Sequence, residues 1–371
     1  MTTWSPAPVP ASWRASSKSP RDFTRTCTAT RLTIRRDIRP GTVIAALGLA
    51  LLGALLAGIA FGAVPVAPGD IVGALSRALA GRSTGMIDTL VTQVRLPRVV
   101  LAAIVGAALA GAGAIYQALF RNPLADPYIL GVSSGAGLGA MIALTLTAQT
   151  TAVRYGAVPA AAFAGALLTM LLVTRLAAWR GRLDTASLLL AGVAISYTLA
   201  ALTSFLMVFA REQMAAVVFW MMGGLSAASW PYVAMIAPMF AVGAVLAMAF
   251  PRELNLMLLG DERAGHLGVD VKRFKLYALA VASLLTAAAV AVAGLIGFVG
   301  LMVPHGVRLL LGPDHRALLP ASLLGGATVL VLADLIARVV LAPVEIPVGI
   351  VTALIGGPFF VWLLVSGGRS R

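Results

Sequence analysis

Three arginines, one aspartate and a short run of mixed charge are the residues whose type and spacing could do chemistry in this sequence. Arg95 and Arg98 flank a proline in 95-RLPR-98, just before a long apolar run, and Arg338 follows Asp334 by four residues in another. Guanidinium groups at the ends of apolar runs can meet carboxylates of an external protein through forked hydrogen bonds. They can equally anchor helix ends among lipid headgroups. Four-residue spacing puts Asp334 and Arg338 on one helical face, where they can neutralise each other. The run is 253-ELNLMLLGDERAGHLGVD-270. Apolar residues precede Gly260; Asp261, Glu262 and Arg263 then open a short polar helix with Ala264 and Leu267 on one side and Gly268 as its stop. Such a helix is a docking knob for a soluble partner, or a solvated loop lying on the lipid surface.

Other chemistry is missing. No GxxxxGK[ST] phosphate loop occurs, and Lys18, Lys272 and Lys275 follow no glycine, so the chain lacks the usual apparatus for gripping ATP. His266, His305 and His315 are scattered, HExxH and GxSxG are absent, and Cys27 has no partner for a disulfide or a zinc site. These absences predict no catalytic residue, no metal and no cofactor bound by this chain. Ion-driven transport needs a charge taken up and released within the membrane. The ionisable residues inside apolar runs are Asp334, Arg338 and Arg175, and one paired acid favours an external energy source.

The elements that must position these residues follow from composition. Of 371 residues, 60% are apolar and 11% charged, a balance suited to lipid rather than water as the surrounding solvent. A bilayer core needs roughly 20 apolar residues per helix. Runs of that length are predicted near 41–63, 98–118, 127–148, 157–178, 186–208, 231–250, 276–298, 318–341 and 345–366, with a short tenth helix within 301–312. The fold class is all-α, polytopic, with about ten transmembrane helices. Residues 1–39, rich in Ser, Thr, Pro and Arg, are predicted to be a disordered cytoplasmic tail; 40–371 is the membrane domain, with a cytoplasmic segment at 251–275.

Ten spans put both ends on one side, and positive-inside counting makes that side cytoplasmic through the tail arginines, Arg180, Arg182, the 251–275 loop, Arg369 and Arg371. Arg77, Arg82 and Arg95, between the first two spans, are the exception. The net charge of +14 is concentrated at span ends and in the tail without interleaved aromatics, which fits membrane topology and not nucleic-acid binding. Small residues crowd 106-GAALAGAGA-114 and 135-GAGLGA-140, as close helix packing in lipid requires.

Four stretches carry a resemblance: 95-RLPRVVLAAIVGAALAGAGAIYQALFRNPLADPYILGVSSGAGLGA-140, 259-LGDERAGHLGV-269, 294-GLIGFVGLMVPHGVRLLLGPDHRALLP-320 and 333-ADLIARVVLAPVEIPVGIVTALIGGPFFVWLL-364. In order and together they resemble the FecCD-type permeases, membrane subunits of ATP-binding-cassette importers for iron-siderophores, haem and vitamin B12. The resemblance implies the type II ABC importer permease fold in a bacterial inner membrane. It implies a homodimer with the substrate path on its axis, two cytoplasmic ATPase subunits that use ATP and Mg, and a periplasmic substrate-binding protein. By the same resemblance Glu253, Leu254, Gly260, Asp261, Glu262, Arg263, Leu267 and Gly268 couple to the ATPase, and Arg95, Arg98 and Arg338 receive the binding protein. Ferric siderophore is the expected cargo, with haem and vitamin B12 as alternatives. An ion-driven secondary transporter remains the alternative of a different class, and it predicts an essential Asp334.

Overall fold

The computed structural model describes residues 39–62, 64–82, 85–146, 151–179 and 183–367, and every regular element among them is helical. The predicted tail, apart from Arg39, and Arg180, Arg182, Arg369 and Arg371 lie outside the described residues. Along the chain run α1 (Pro40–Ala60), α2 (Pro68–Leu79), α3 (Met86–Thr89), a π-helical stretch Leu90–Arg95, α4 (Leu96–Leu119), α5 (Val132–Leu146) and α6 (Thr151–Ala177). There follow α7 (Thr185–Phe209), α8 (Met214–Met221), α9 (Trp230–Met248), α10 (Pro251–Met257) and α11 (Asp261–His266). Last come α12 (Val271–Ala293), α13 (Val299–Leu311), α14 (His315–Val339) and α15 (Val348–Gly367). Eight of these helical segments are long and apolar enough to cross a membrane, and α5 and α13 are shorter apolar helices, which gives the ten predicted.

The ten are not equivalent. The spans Met86–Leu119, Val271–Ala293 and His315–Val339 are 83, 78 and 61% buried, whereas the other five reach at most 39%. Thus α4, α12 and α14 form an inner trio, with α4 packed on both α12 and α14, and the remaining spans present apolar side chains outward. Glycine permits the closest approaches. A Cβ on Gly106 would lie 2.2 Å from the Gly326 carbonyl oxygen, and one on Gly326 would lie 2.3 Å from that of Gly106, so α4 and α14 touch backbone to backbone. At Gly113 of α4 a Cβ would fall 1.7 Å from the Gly300 carbonyl of α13. Van der Waals contact and interhelical hydrogen bonds hold helices together where lipid removes the hydrophobic drive, which is why the small residues sit here.

Boundaries depart from the sequence expectation where local chemistry overrides the apolar pattern. The second span begins at Met86, not 98, because the π-helical stretch Leu90–Arg95 carries the helix through Pro97. A proline clashes with the carbonyl four residues back, and a wider turn makes room for it. Trp230 Nε1 donates to the Thr92 carbonyl at 2.8 Å within that stretch. The third span starts at Val132 rather than 127, since Asp126 Oδ1 accepts the Tyr128 N–H at 2.7 Å and shapes a turn that Gly131, at φ 80°, completes. The seventh runs Val271–Ala293 instead of 276–298: Asp270 caps its start through the Arg273 N–H at 3.1 Å.

Candidate functional site

Two polar assemblies interrupt this apolar bundle, one at each end of α14. The first gathers Arg95, Arg98 and Arg338, the three arginines picked out by sequence. They are 4, 7 and 6% exposed, so each guanidinium is turned inward. Arg98 spans two carboxylates: its Nε lies 3.0 Å from Asp334 Oδ1 and its Nη1 2.9 Å from Glu345 Oε1. Arg338 Nε meets Asp334 Oδ2 at 2.9 Å, the pairing along one helical face that the four-residue spacing predicts.

The remaining donors close the end of α1. A helix leaves its last carbonyls without an intrahelical partner, and other donors must satisfy them. Here Arg338 Nη2 donates to Gly58 O at 3.1 Å, and Arg95 Nη1 donates to Ile59 O at 2.7 Å and Ala60 O at 2.9 Å. Arg95 Nη2 also donates to Val64 O. Two arginines from two other helical segments therefore finish α1, and their positive charge faces the negative end of its dipole. These carbonyls and carboxylates satisfy guanidinium donors of all three arginines, which together form an inward-facing cluster. Glu345, 43% exposed on its side chain, is the rim of the cluster. Beside it lies a cavity of about 500 Å3 whose lining includes Arg98, Phe219, Trp220, Tyr232 and Glu345.

Nearby, Arg77 pairs with the buried Asp88 at 2.6 Å. Of the three arginines that break the positive-inside pattern, Arg77 is paired with Asp88, Arg95 is buried and Arg82 is exposed.

The second assembly lies at the start of α14 and holds the segment predicted to couple. Leu254 of α10 is fully buried, as is Met257. Gly260, at φ 102°, turns the chain into α11 with the Arg121 guanidinium close against it. Glu253 is half-buried; Glu262, Arg263, Leu267 and Gly268 are exposed. Ala264 is buried while Leu267 is not, so the shared face expected for them does not form: Leu267 is the residue after the helix ends, and its backbone has left helical geometry.

Three anchors missed by the sequence reading fix this segment. Lys275, buried in the second turn of α12, donates to the Leu183 carbonyl at 3.1 Å and pairs with Asp261. Asn255 Nδ2 donates to Asp314 Oδ1 at 2.7 Å, and Asn255 Oδ1 accepts the His315 N–H at 2.9 Å. Asp314 caps α14 through the Arg316 N–H, and that bond together with Asn255 holds its carboxyl below the usual carboxylate range. A lowered folded-state value means that this carboxylate stabilises the fold above its unfolded titration range and loses that contribution only as pH falls through the lowered value. Glu345 and Lys275 left one signal in the sequence, a charge at the edge of an apolar run; Asn255 left none.

Among the described residues no group of three or more His, Cys, Asp or Glu is placed to hold a metal ion.

The comparisons with known proteins agree with that geometry. The FecCD transport family profile matches residues 49–366. The chain is 52% identical to the cobalamin import system permease BtuC of Halobacterium salinarum over 277 residues, which is 75% of this chain and 73% of that protein. It is 43% identical to the hemin transport permease HmuU of Yersinia pestis, covering 75 and 84% of the two chains. It is also 43% identical to the Fe(3+) dicitrate permease FecD of Escherichia coli, over 73 and 83%. A solved metal-chelate type ABC transporter in an inward-facing conformation superposes with a TM-score of 0.77 at 29% identity, over 88% of this chain and 99% of that one. The chain therefore belongs to the FecCD transport family and is a multi-pass membrane permease subunit, not an enzyme.

Proposed function

We propose that this permease carries a metal chelate inward across a bacterial inner membrane as a homodimer, powered by two separate ATPase subunits that use ATP and Mg. Both termini lie on the cytoplasmic side in this reading, as does the segment 251–275. The observation that carries it is the pair of polar assemblies at opposite ends of α14, one on an exposed helical knob and one on a rim with a half-exposed carboxylate. Exposed Glu262, Arg263, Leu267 and Gly268 face the ATPase; Glu253, Leu254, Gly260 and Asp261 shape and hold the knob.

At the other end Arg95, Arg98 and Arg338 form the docking site of the binding protein, with Arg98 as the group exchanged. Glu345 occupies one edge of the Arg98 fork and is exposed enough to be displaced by an incoming carboxylate. Replacing Glu345 by Gln is then expected to tighten binding-protein docking about fivefold, the worth of one surface ion pair of ~1 kcal/mol. Titration of the binding protein onto the permease in nanodiscs checks this, and unchanged affinity removes Arg98 from the docking set.

For the cargo, ferric siderophore is the first reading because it is the broadest class in the family. Cobalamin is the second, favoured by the relative at 52% identity. ATP-dependent uptake into vesicles holding this chain, its ATPase and its binding protein, offered ferric siderophores, haem and cobalamin in parallel, decides among them. Uptake of one compound that vanishes without ATP is the expected result; uptake by the permease alone overturns the importer reading.

A further inference from the structure

We propose that Asn255 is the positioning residue that passes movement of the coupling segment into α14, and through α14 to the arginine cluster at its far end. This rests on the importer reading and names the joint that reading requires. The amide of Asn255 uses both of its ends on the first turn of α14. Its Nδ2 donates to Asp314 Oδ1 at 2.7 Å; its Oδ1 accepts the His315 backbone N–H at 2.9 Å and lies 2.8 Å from His315 Nδ1, which donates to it. Asp314 Oδ1 in turn accepts the Arg316 N–H at 3.0 Å. The clasp therefore grips the capped end of a helix, where a displacement is delivered to the whole rod and is not absorbed by a loop.

Neither side of the clasp is free to slip. On the α10 side, Leu254 and Met257 flank Asn255 and are fully buried. On the α14 side, His315 is fully buried and the helix runs for 25 residues, roughly 37 Å at 1.5 Å per residue. Pro320 falls in its second turn, so the regular ladder beyond it runs unbroken to Asp334 and Arg338. An apolar contact can slide by fractions of an ångström, whereas a two-sided amide clasp is either made or broken. A joint with two discrete arrangements is what lets a packed helix transmit a change of state. The other polar anchor of the segment, Lys275 with Asp261, ties α11 to α12 and to the Leu183 carbonyl, so it sets the position of the knob without reaching α14.

The test uses the complete complex of permease, ATPase and binding protein in nanodiscs, and reads the ratio of ATP hydrolysis with and without binding protein on co-purified assemblies. Asn255→Ala is expected to lower that ratio about fivefold or more, the lower end of ordinary coupling between sites. The double variant Asn255→Asp with Asp314→Asn exchanges donor and acceptor across the clasp while keeping the His315 and Arg316 bonds available. It is expected to restore the ratio to within about twofold of the unsubstituted complex, on the same scale. Full stimulation in Asn255→Ala overturns the inference, and so does a double variant no better than Asn255→Ala, since position 255 would then act through packing alone. A lack of stimulation in the unsubstituted complex instead overturns the importer reading itself.

Discussion

Replacing Asp334 by asparagine is expected to destabilise the permease by about 3 to 5 kcal/mol, the cost of stranding a buried charge by removing its partner. Asp334 is the shared counter-ion of Arg98 and Arg338, and all three side chains are at least nine-tenths buried. Arg98 would keep Glu345, but Arg338 would keep backbone carbonyls and no carboxylate, so the uncompensated charge falls on the residue that closes α1. Unfolding by titrated sodium dodecyl sulfate in mild detergent, together with the amount of permease in the membrane, measures the loss. The same variant separates the two transport classes. Molecules that remain folded are expected to retain ATP-dependent uptake. A normally stable protein that has lost uptake would make Asp334 a coupling carboxylate and the chain an ion-driven transporter.

A comparable loss is expected from a single methyl group. Gly113→Ala places a Cβ where the Gly300 carbonyl oxygen already lies, 1.7 Å away, and the obstacle is backbone, which cannot rotate aside. The helices α4 and α13 must separate, at a cost of about 3 kcal/mol or more, at or beyond the upper end of ordinary overpacking. Gly137→Ala is the matched control: it too is a helical glycine, but a Cβ there meets nothing within 4 Å. Its effect is expected to stay within about 0.5 kcal/mol. Unfolding midpoints measured side by side check the pair. Equal losses at both positions would show that glycine composition, not the α4–α13 contact, governs stability.

Much of the fold was legible because lipid imposes a length and a composition on each span, and the glycine-rich stretches announced their contacts. Span ends were less legible. Proline and glycine near 97, 127 and 294 disturb an apolar pattern without saying in which direction the helix will extend, and side-chain caps such as Asp270 decide the matter. At the candidate site, spacing along one helix sufficed for Asp334 with Arg338. It could not reveal Arg98 with Asp334, 236 residues apart, nor Asn255 with His315, 60 apart. The inward turn of the arginines had a cause that no side chain records, the carbonyls that α1 leaves without a partner inside the helix at its end. A sequence shows donors by residue type, but backbone acceptors become visible only once a helix end has a place.

The contact between Gly106 and Gly326 has a mechanical consequence. It is backbone on backbone, so α4 and α14 cannot be pressed closer there, and that point serves as a fulcrum for any tilt of α14. His315 stands 11 residues before Gly326 and Arg338 stands 12 after it, which gives arms of roughly 16 and 18 Å. A balanced lever reverses direction with little gain: an ångström of displacement at the clasped end becomes about an ångström of opposite displacement at the arginine end.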